Sequence, residues 1–472
     1  MRRHLLVVLG ALLLTSNIRA QNPTQAPAQP VAVTPSTASE RLGEKSNDVR
    51  QQTFDIVWQT VKDKHFDPDF GGVNWDKIRE QYAPRVAEVK SDGGLYRLLQ
   101  QMLGELHQSH FNIIPPEAVI PDDVKEPPTG GIGIDVRIID GAAVITRVEP
   151  ESAAAQAGLR PGFIIIKIAG QAGDKAVDEF IAFFGKSNFT EPMRNLRITR
   201  RVMQEINGEP GSMVKLTYLD GKDQPRTTTF TRAKLKGELS LRLGQFPPQY
   251  TEFESKRLPQ AAAQAGSYLG YIRFNIFTTP VTEKIRAAIR EFHDAHGLIF
   301  DLRGNPGGVA GIAVGIAGQL FDQAGADKGQ KPGTIKMLGT MKMRSSEVRF
   351  AIFPQSNPYT GPVVILLDGL SASTSEVFSS GMQELGRAVI IGERSIGACL
   401  PSVFQKLPTG ALFQFAIADF KTPKGVLIEG RGVIPDVEMK WNRASLLAGN
   451  DAQLDAAIAQ MAQLRQRERA VK

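Results

Sequence analysis

Cysteine is almost missing from this 472-residue chain, Cys399 being the only one. No intrachain disulfide can form, so the fold must rest on packed apolar cores. The six histidines are scattered and form no Cys/His cluster at ligand spacing. With no phosphate-binding loop either, no metal or organic cofactor is implied. A dominant charge is missing too. The formal charge of +7 includes Arg2, Arg3 and Arg19, with no acid before residue 21, which leaves +4 beyond it. Lys and Arg are interleaved with acids, a pattern of solvated surface that gives no case for nucleic acid. After the first twenty residues there is no apolar run long enough to cross a bilayer, so stable membrane insertion is not expected.

Those twenty residues, MRRHLLVVLGALLLTSNIRA, have a basic start, an apolar stretch from Leu5 to Leu14 and a small residue at Ala20. This is the pattern of a cleavable signal peptide (residues 1–20) and predicts a periplasmic or secreted protein. Residues 21–45, rich in Gln, Pro, Ala, Thr and Ser, read as a disordered linker. Residues 46–125 read as a helical domain. Phe54, Val57, Trp58 and Val61 form one apolar stripe, and Leu95, Leu98, Leu99, Met102 and Leu103 another.

Residues 126–234 open on TGGIGIDVRIIDGAAVITRVEPESAAAQAGLRPGFIIIKIAG. This series resembles a PDZ domain. The resemblance implies that Gly131, Ile132, Gly133 and Ile134 receive a peptide carboxyl terminus, with glycines admitting a carboxylate to backbone N–H groups and a strand edge pairing with the peptide. The expected groove helix is Ala176 to Phe184, and the expected closing strand is Met213 to Tyr218. The long gap between them, around residues 186–211, reads as an insertion that covers the groove, contacts the next unit or does neither. Residues 235–445 alternate strand and helix: Gly270 to Phe277, Thr282 to His296, Gly297 to Leu302. That order predicts stacked βαβ units. Residues 446–472 end in a polar helix.

The chemistry concentrates between Gly369 and Glu393. An apolar strand, VVILLD, runs into a small-residue turn and then a helical stripe of Val377, Phe378, Met382 and Leu385. A strand that turns sharply into a helix exposes its turn side chain and aims free backbone N–H groups at its target. The turn holds Ser371, Ser373 and Ser375. The first and last of these read as helix caps.

This SASTSE turn, the following GRA and the VIIGE strand resemble the tail-specific, or carboxyl-terminal processing, serine peptidases and their tricorn-type relatives. The likeness extends over residues 95–440, through Ser109-His110, the PDZ-like series, the turn Asp301-Leu302-Arg303-Gly304-Asn305-Pro306-Gly307-Gly308 and the loop Gly425 to Asp436. It implies an α/β multi-domain protein with a crotonase-like ββα-spiral catalytic core and Ser373 as nucleophile. In the processing branch the base is a lysine, but Ala398 stands at that position here. Lys406, Lys421 and Lys424 lie elsewhere. The tricorn-type branch uses histidine with a carboxylate orienter, and this implies His110 as base, Glu429 as orienter and Ser109 as helper. His107, one helical turn away, is the competitor for the base. A histidine of ordinary pKa, about 6.5, can accept the serine proton at neutral pH. Gly307 or Gly308, with the N–H of Thr374, would form the oxyanion hole, and Asp301 and Arg303 would clamp that turn. Cys399 reads as a buried neighbour with no catalytic role.

The function implied is an exported serine endopeptidase, working through an acyl-enzyme, whose PDZ domain recruits or gates protein or peptide substrates by accessible C-termini. Further copies of the chain are a secondary expectation as partners. Two rivals share the pattern: a non-catalytic relative that binds a hydrophobic ligand, and a PDZ adaptor with a relic core.

Overall fold

The computed structural model describes residues 37–119, 130–170, 173–186, 190–243, 246, 248–259, 267–322 and 335–471. The segment read as a signal peptide lies outside them. Helix α1 (Thr37–Lys64) starts inside the segment read as linker. It packs with α2 (Trp75–Tyr82) and α3 (Asp92–Gly104). Ser91 caps α3 through the Gly94 N–H, and Asn74 caps α2 through Lys77, so each turn start has its orphan donor satisfied. The two predicted stripes are buried together, with Phe54, Val57, Leu95 and Leu99 fully enclosed.

This helical core is not self-contained. It continues into Leu400, Leu407, Phe413 and Phe415, far along the chain. Strand β1 (Asn112–Ile114), directly after Ser109-His110, pairs antiparallel with Leu412–Ala416. The junction carrying the histidine is thereby laid against the C-terminal unit.

The central unit has a twisted antiparallel sheet. Strand β2 (Gly130–Gly131) precedes β3 (Ile134–Ile139), β4 (Ala142–Val148), β5 (Ile164–Gly170), β6 (Gly173–Ala176), β7 (Met213–Leu219) and β8 (Pro225–Thr231). The order is β3-β4-β5-β7-β8, with β6 on β5, so β3 is an edge strand. Helix α4 (Ala153–Gln156) is one turn, capped by Ser152. Helix α5 (Val177–Gly185) is the helix expected beside the groove.

The segment read as an insertion instead forms a sixteen-residue helix, α6 (Glu191–Ile206). Its Ile198, Val202 and Ile206, spaced four apart, enter the core of the central unit beside Ile134 and Val136 of β3. It is therefore α6, rather than α5, that lies against the edge strand. Residues 187–189 of this segment lie outside the described part.

The C-terminal unit is built on a six-stranded sheet. Tyr268–Phe274, Leu298–Asp301, Val363–Leu367 and Val389–Gly392 run parallel, with Phe253–Pro259 antiparallel at one edge and Val437–Glu438 at the other. The inner strands are mostly apolar, because helices cover both faces. On one face lie α7 (Thr279–Glu291), α8 (Ala310–Gly318) and α9 (Thr374–Glu384). Beyond them in the chain come α10 (Arg443–Leu447) and α11 (Ala452–Val471). Ala457 and Met461 of α11 seal the other face of the sheet. Strands and helices alternate as the sequence predicts. Among the described residues no helix is long and apolar enough to cross a membrane.

Candidate active site

Strand Val363–Leu367 delivers Ser373 to the start of α9, at the carboxyl end of the parallel sheet. Ser373 is the N-cap residue and has φ +54° and ψ −116°, a conformation that disfavours any side chain. Such strain costs on the order of 1–3 kcal/mol and persists only where surrounding contacts over-determine it. Here they do. The Ser373 N–H donates to Ala398 O at 2.9 Å and to Glu376 Oε2 at 2.8 Å. Glu376 also accepts from Ser395 Oγ, Gly397 N and Ala398 N, so one buried carboxylate pins the nucleophile turn to loop 395–398. Sequence reasoning passed over Glu376, although Ser-Thr-Ser-Glu is the spacing of a capping box.

Ser371 and Ser375 do not cap the helix as expected. Ser371 donates to Leu302 O at 2.8 Å, and Ser375 donates to Asn305 O at 2.9 Å. Both staple the nucleophile turn to the glycine turn beside it, which leaves the cap position to Ser373.

That second turn is held from behind. Arg303 grips Asp301 through two nitrogens, at 2.9 and 2.6 Å, and reaches Asp451 at 2.8 Å. The Arg303 guanidinium beside it, with burial opposing, holds the Asp301 carboxyl well below the usual carboxylate range. Gly307 and Gly308 have φ +102° and +131°. The Gly307 N–H is committed to Asn305 Oδ1 at 2.9 Å, so it is not available as an oxyanion donor. The N–H groups of Gly308 and Thr374 donate to no described residue, and Thr374 N and Ser373 Cβ both lie against Gly307.

His110 is buried and His107 is exposed, which separates the two candidates. Ser109 Oγ lies 2.6 Å from His110 Nδ1 and donates to Glu429 Oε2 at 2.9 Å. Glu429 also accepts from Ser109 N at 2.8 Å and Cys399 N at 2.8 Å. The carboxylate therefore meets the imidazole through the Ser109 hydroxyl rather than directly. Burial pushes Glu429 above the usual carboxylate range, and its two N–H donors pull it back. The arrangement can hold His110 with Nδ1 engaged and Nε2 left for a proton. The Ser373 hydroxyl is 0% exposed as a residue and bonds to nothing, His110 included. Lys406, Lys421 and Lys424 are all exposed, away from this buried serine. Cys399 is buried, with Sγ 3.7 Å from Ser373 O, and burial pushes its thiol up.

The peptide-loop residues are also placed. Gly131 pairs with Ala233, Ile132 O accepts the Ala154 N–H, and Gly133 O accepts the Glu149 N–H. Gly133 has φ +81°, and a Cβ there would sit 2.3 Å from Ser152 Cβ, so only glycine fits. Ile134 begins the edge strand. The central unit reaches the nucleophile turn through Arg137 of β3, which donates to Asp368 at 2.6 Å. Asp368 in turn accepts from Gly304 N and Leu370 N.

Residues 268–439 match Peptidase family S41, and residues 46–104 match the Tricorn protease C1 domain. Residues 268–439 form a peptidase family S41 unit. A carboxyl-terminal-processing protease of Picosynechococcus sp. is 25% identical over 387 residues, 80% of this chain and 81% of the relative. The solved photosystem II D1 C-terminal processing protease has a TM-score of 0.55 at 23% identity, covering 83% of this chain and 93% of that one. Mature CPAF has a TM-score of 0.61 at 13% identity over 89% of this chain and 98% of that one, a likeness of fold. Among the described residues no group of acidic, histidine or cysteine side chains is arranged to hold a metal ion.

The C-terminal unit carries carboxylates raised by burial. Glu376 is pushed up to about 7, burial outweighing its hydrogen bonds. Glu252 also rises to about 7, by burial first and then the charge of Asp135. The folded chain holds these protons where the unfolded chain has released them. Stability is therefore expected to fall as pH rises from about 4.5 to about 7. Thermal unfolding at about pH 5 and pH 7.5 measures this, and Glu376→Gln should flatten the difference. A midpoint that climbs over this window would contradict the assignment.

Proposed function

We propose that the chain is an exported serine endopeptidase in which Ser373, His110, Ser109 and Glu429 act as one set. The observation that carries this reading is the hydrogen-bond chain from Glu429 through Ser109 to His110, set beside a strained serine at a helix start. In the reaction, Ser373 Oγ attacks the scissile carbonyl carbon and His110 Nε2 takes its proton. The negative oxygen that forms is met by the N–H groups of Gly308 and Thr374. Collapse breaks the C–N bond, and His110 returns the proton to the departing amine. Water then attacks the serine ester by the same route, with His110 again as base. Glu429 stabilises the imidazolium through the Ser109 hydroxyl. Its negative charge has the right sign, and burial strengthens its field.

The central unit is proposed as a PDZ domain. Strand β3 lies at the sheet edge, where an extended peptide could pair once α6 gives way, and Gly133 would let a carboxylate approach the backbone. The alternating strands and helices of the S41 unit fit the spiral core that the resemblance implies. Because Ser373 is sealed and its hydroxyl unbonded, the conformation described is closed. Turnover requires the central unit to shift, which makes it a gate as well as a recruiter. Met193 and Leu196 of α6 pack against Leu370, Ala372, Ile396 and Ala398, and so form the cover.

Fluorophosphonate labelling of the mature protein tests the reading. Wild type should label, and Ser373→Ala and His110→Ala should not. The same closed serine also suits a binding protein without turnover. Wild type that stays unlabelled even with peptides present would favour that second reading.

A further inference from the structure

The short loop that presents His110 is bent against its preferences. His107 and His110 have φ +52° and +62°, left-handed values without glycine. Conformations of this kind persist only where the surroundings over-determine them. Part of the hold is already described: Glu429 accepts from Ser109 N and from Ser109 Oγ. Another part comes from Gln100 of α3, which donates to Phe111 O at 2.9 Å and accepts from Ile113 N at 3.1 Å. The remaining part is one side chain, His65, which meets residues on both sides of the Ser109-His110 pair.

His65 follows α1 directly and is fully buried. Its Nε2 lies 2.9 Å from Gln108 Oε1, and Asp67 N donates to its Nδ1 at 3.1 Å. With Nδ1 accepting, Nε2 carries the proton and donates to the Gln108 amide oxygen. Burial pushes the ring below the ordinary histidine value, which favours this neutral form. The same ring stacks on Phe111, with centroids 5.6 Å apart and planes 11° apart. It also stacks on Phe66, at 4.6 Å and 19°. A single imidazole thus ties Gln108 by a hydrogen bond and Phe111 by its face, and Ser109 and His110 lie between them in the chain.

His65 is in turn fastened to the unit that carries the serine. Arg344 stands in the turn between strands Met337–Met343 and Glu347–Ala351. It donates to Lys62 O at 3.1 Å, Asp63 O at 3.1 Å and His65 O at 3.0 Å. These are carbonyls at the end of α1, where a helix leaves acceptors unmet and favours a cation. The first strand of that hairpin packs closely on α9, since a Cβ at Gly381 would lie 2.7 Å from Leu338. Helix α9 begins at the nucleophile turn. A continuous line of contacts therefore runs from α9 through Arg344 and His65 to the loop of His110.

We propose that His65 is a positioning residue, acting through Gln108 and Phe111 to hold the His110 imidazole in register with Ser373. The inference rests on the proposed role of His110 as base. A histidine that merely filled the helical core would leave His110 indifferent to its hydrogen bonds. A positioning histidine makes the setting of His110 depend on them, because a reacting group must be held within a fraction of an ångström by its supporting shell.

Nuclear magnetic resonance of the mature protein with isotopically labelled histidine tests this without needing turnover. The His110 signal is assigned by its loss in His110→Asn. His65→Phe keeps an aromatic ring and removes its hydrogen bonds, and Gln108→Leu removes the partner. Each should shift the His110 signal and move its titration midpoint in the same direction, and the double variant should go little further. Val57→Ala, in the same helical core, is the packing control and should leave that signal in place. In kinetics, kcat per fluorophosphonate-titrated site should fall about ten- to hundredfold in His65→Phe with KM little changed. His65→Gln, which restores a hydrogen-bonding group, should recover part of the loss. If His65→Phe fails to fold, Gln108→Leu at its half-buried position carries the test. An unmoved His110 signal in the variants that fold, or an equal shift in Val57→Ala, would overturn the proposal. A shifted signal in a protein whose wild type never labels or cleaves would keep the positioning and remove the peptidase reading instead.

Discussion

His110→Ala is expected to lower kcat/KM by about 10⁴-fold, close to the loss from Ser373→Ala, because nucleophile and base fail together. In the proposed mechanism both residues serve a single proton transfer, so the double variant should be little worse than either single one. Glu429→Gln should cost less, on the order of 10²- to 10³-fold, because the amide keeps its shape and loses its charge. Ser109→Ala cuts the hydrogen-bonded path from the carboxylate to the imidazole, at 2.9 and 2.6 Å, and should resemble Glu429→Gln. Combining these two should add little, since each breaks one relay. Steady-state kinetics on a peptide substrate decide the matter. If His110→Ala kept activity within tenfold while Ser373→Ala was dead, the base would have to be sought elsewhere. Exposed His107 would then be the next residue to replace.

Gly307→Ala should be nearly as damaging, for a reason of space. A Cβ at this position would lie 2.6 Å from Thr374 N and 2.7 Å from Ser373 Cβ. The backbone φ of +102° adds strain whatever the neighbours do. Thr374 N and Ser373 Cβ both belong to the nucleophile turn, so neither can retreat without moving the reacting groups. The expected cost is about 2–4 kcal/mol of stability from overpacking and strain. Displacement of the oxyanion donors by about 1 Å should take a further 10²-fold or more from turnover. Gly311→Ala in α8 is the control. Its added methyl meets nothing within 4 Å, and an alanine in a helix should be neutral or slightly stabilising. Thermal unfolding and kinetics on the pair would distinguish local crowding from a general intolerance of alanine in this turn. Equal behaviour of the two variants would sink the argument.

Much of this was readable in the chain because the informative segments are local. The run VVILLD followed by small residues and an apolar stripe specifies a strand, a sharp turn and a helix within about twenty residues. The observed strand Val363–Leu367 and helix Thr374–Glu384 follow that pattern. The stripe at Phe54, Val57, Trp58 and Val61 is likewise buried as its spacing demands. Features that depend on distant segments were not readable. Ser371 and Ser375 look like caps until Leu302 and Asn305, some seventy positions earlier, supply the carbonyls they bind. The insertion of Ser109 between Glu429 and His110 depends on β1 pairing with a strand some three hundred residues away. The α6 segment was a different failure. Its Ile198, Val202 and Ile206 spacing was in plain view, but an expected helix at Ala176 to Phe184 had already filled the role.

Asp368 binds Arg137 of the central unit, the Gly304 N–H of the glycine turn and the Leu370 N–H of the nucleophile turn. One carboxylate thus belongs to two sites at once. Sites joined by a shared group are coupled by a single free energy, and that coupling acts equally in both directions. A ligand on β3 that changes how readily Ser373 accepts a transition-state analogue must find its own affinity changed by the same factor when that analogue is bound. On the proposed PDZ role the chain can be interrogated from either end, its hold on a peptide tail reporting on the occupancy of its serine.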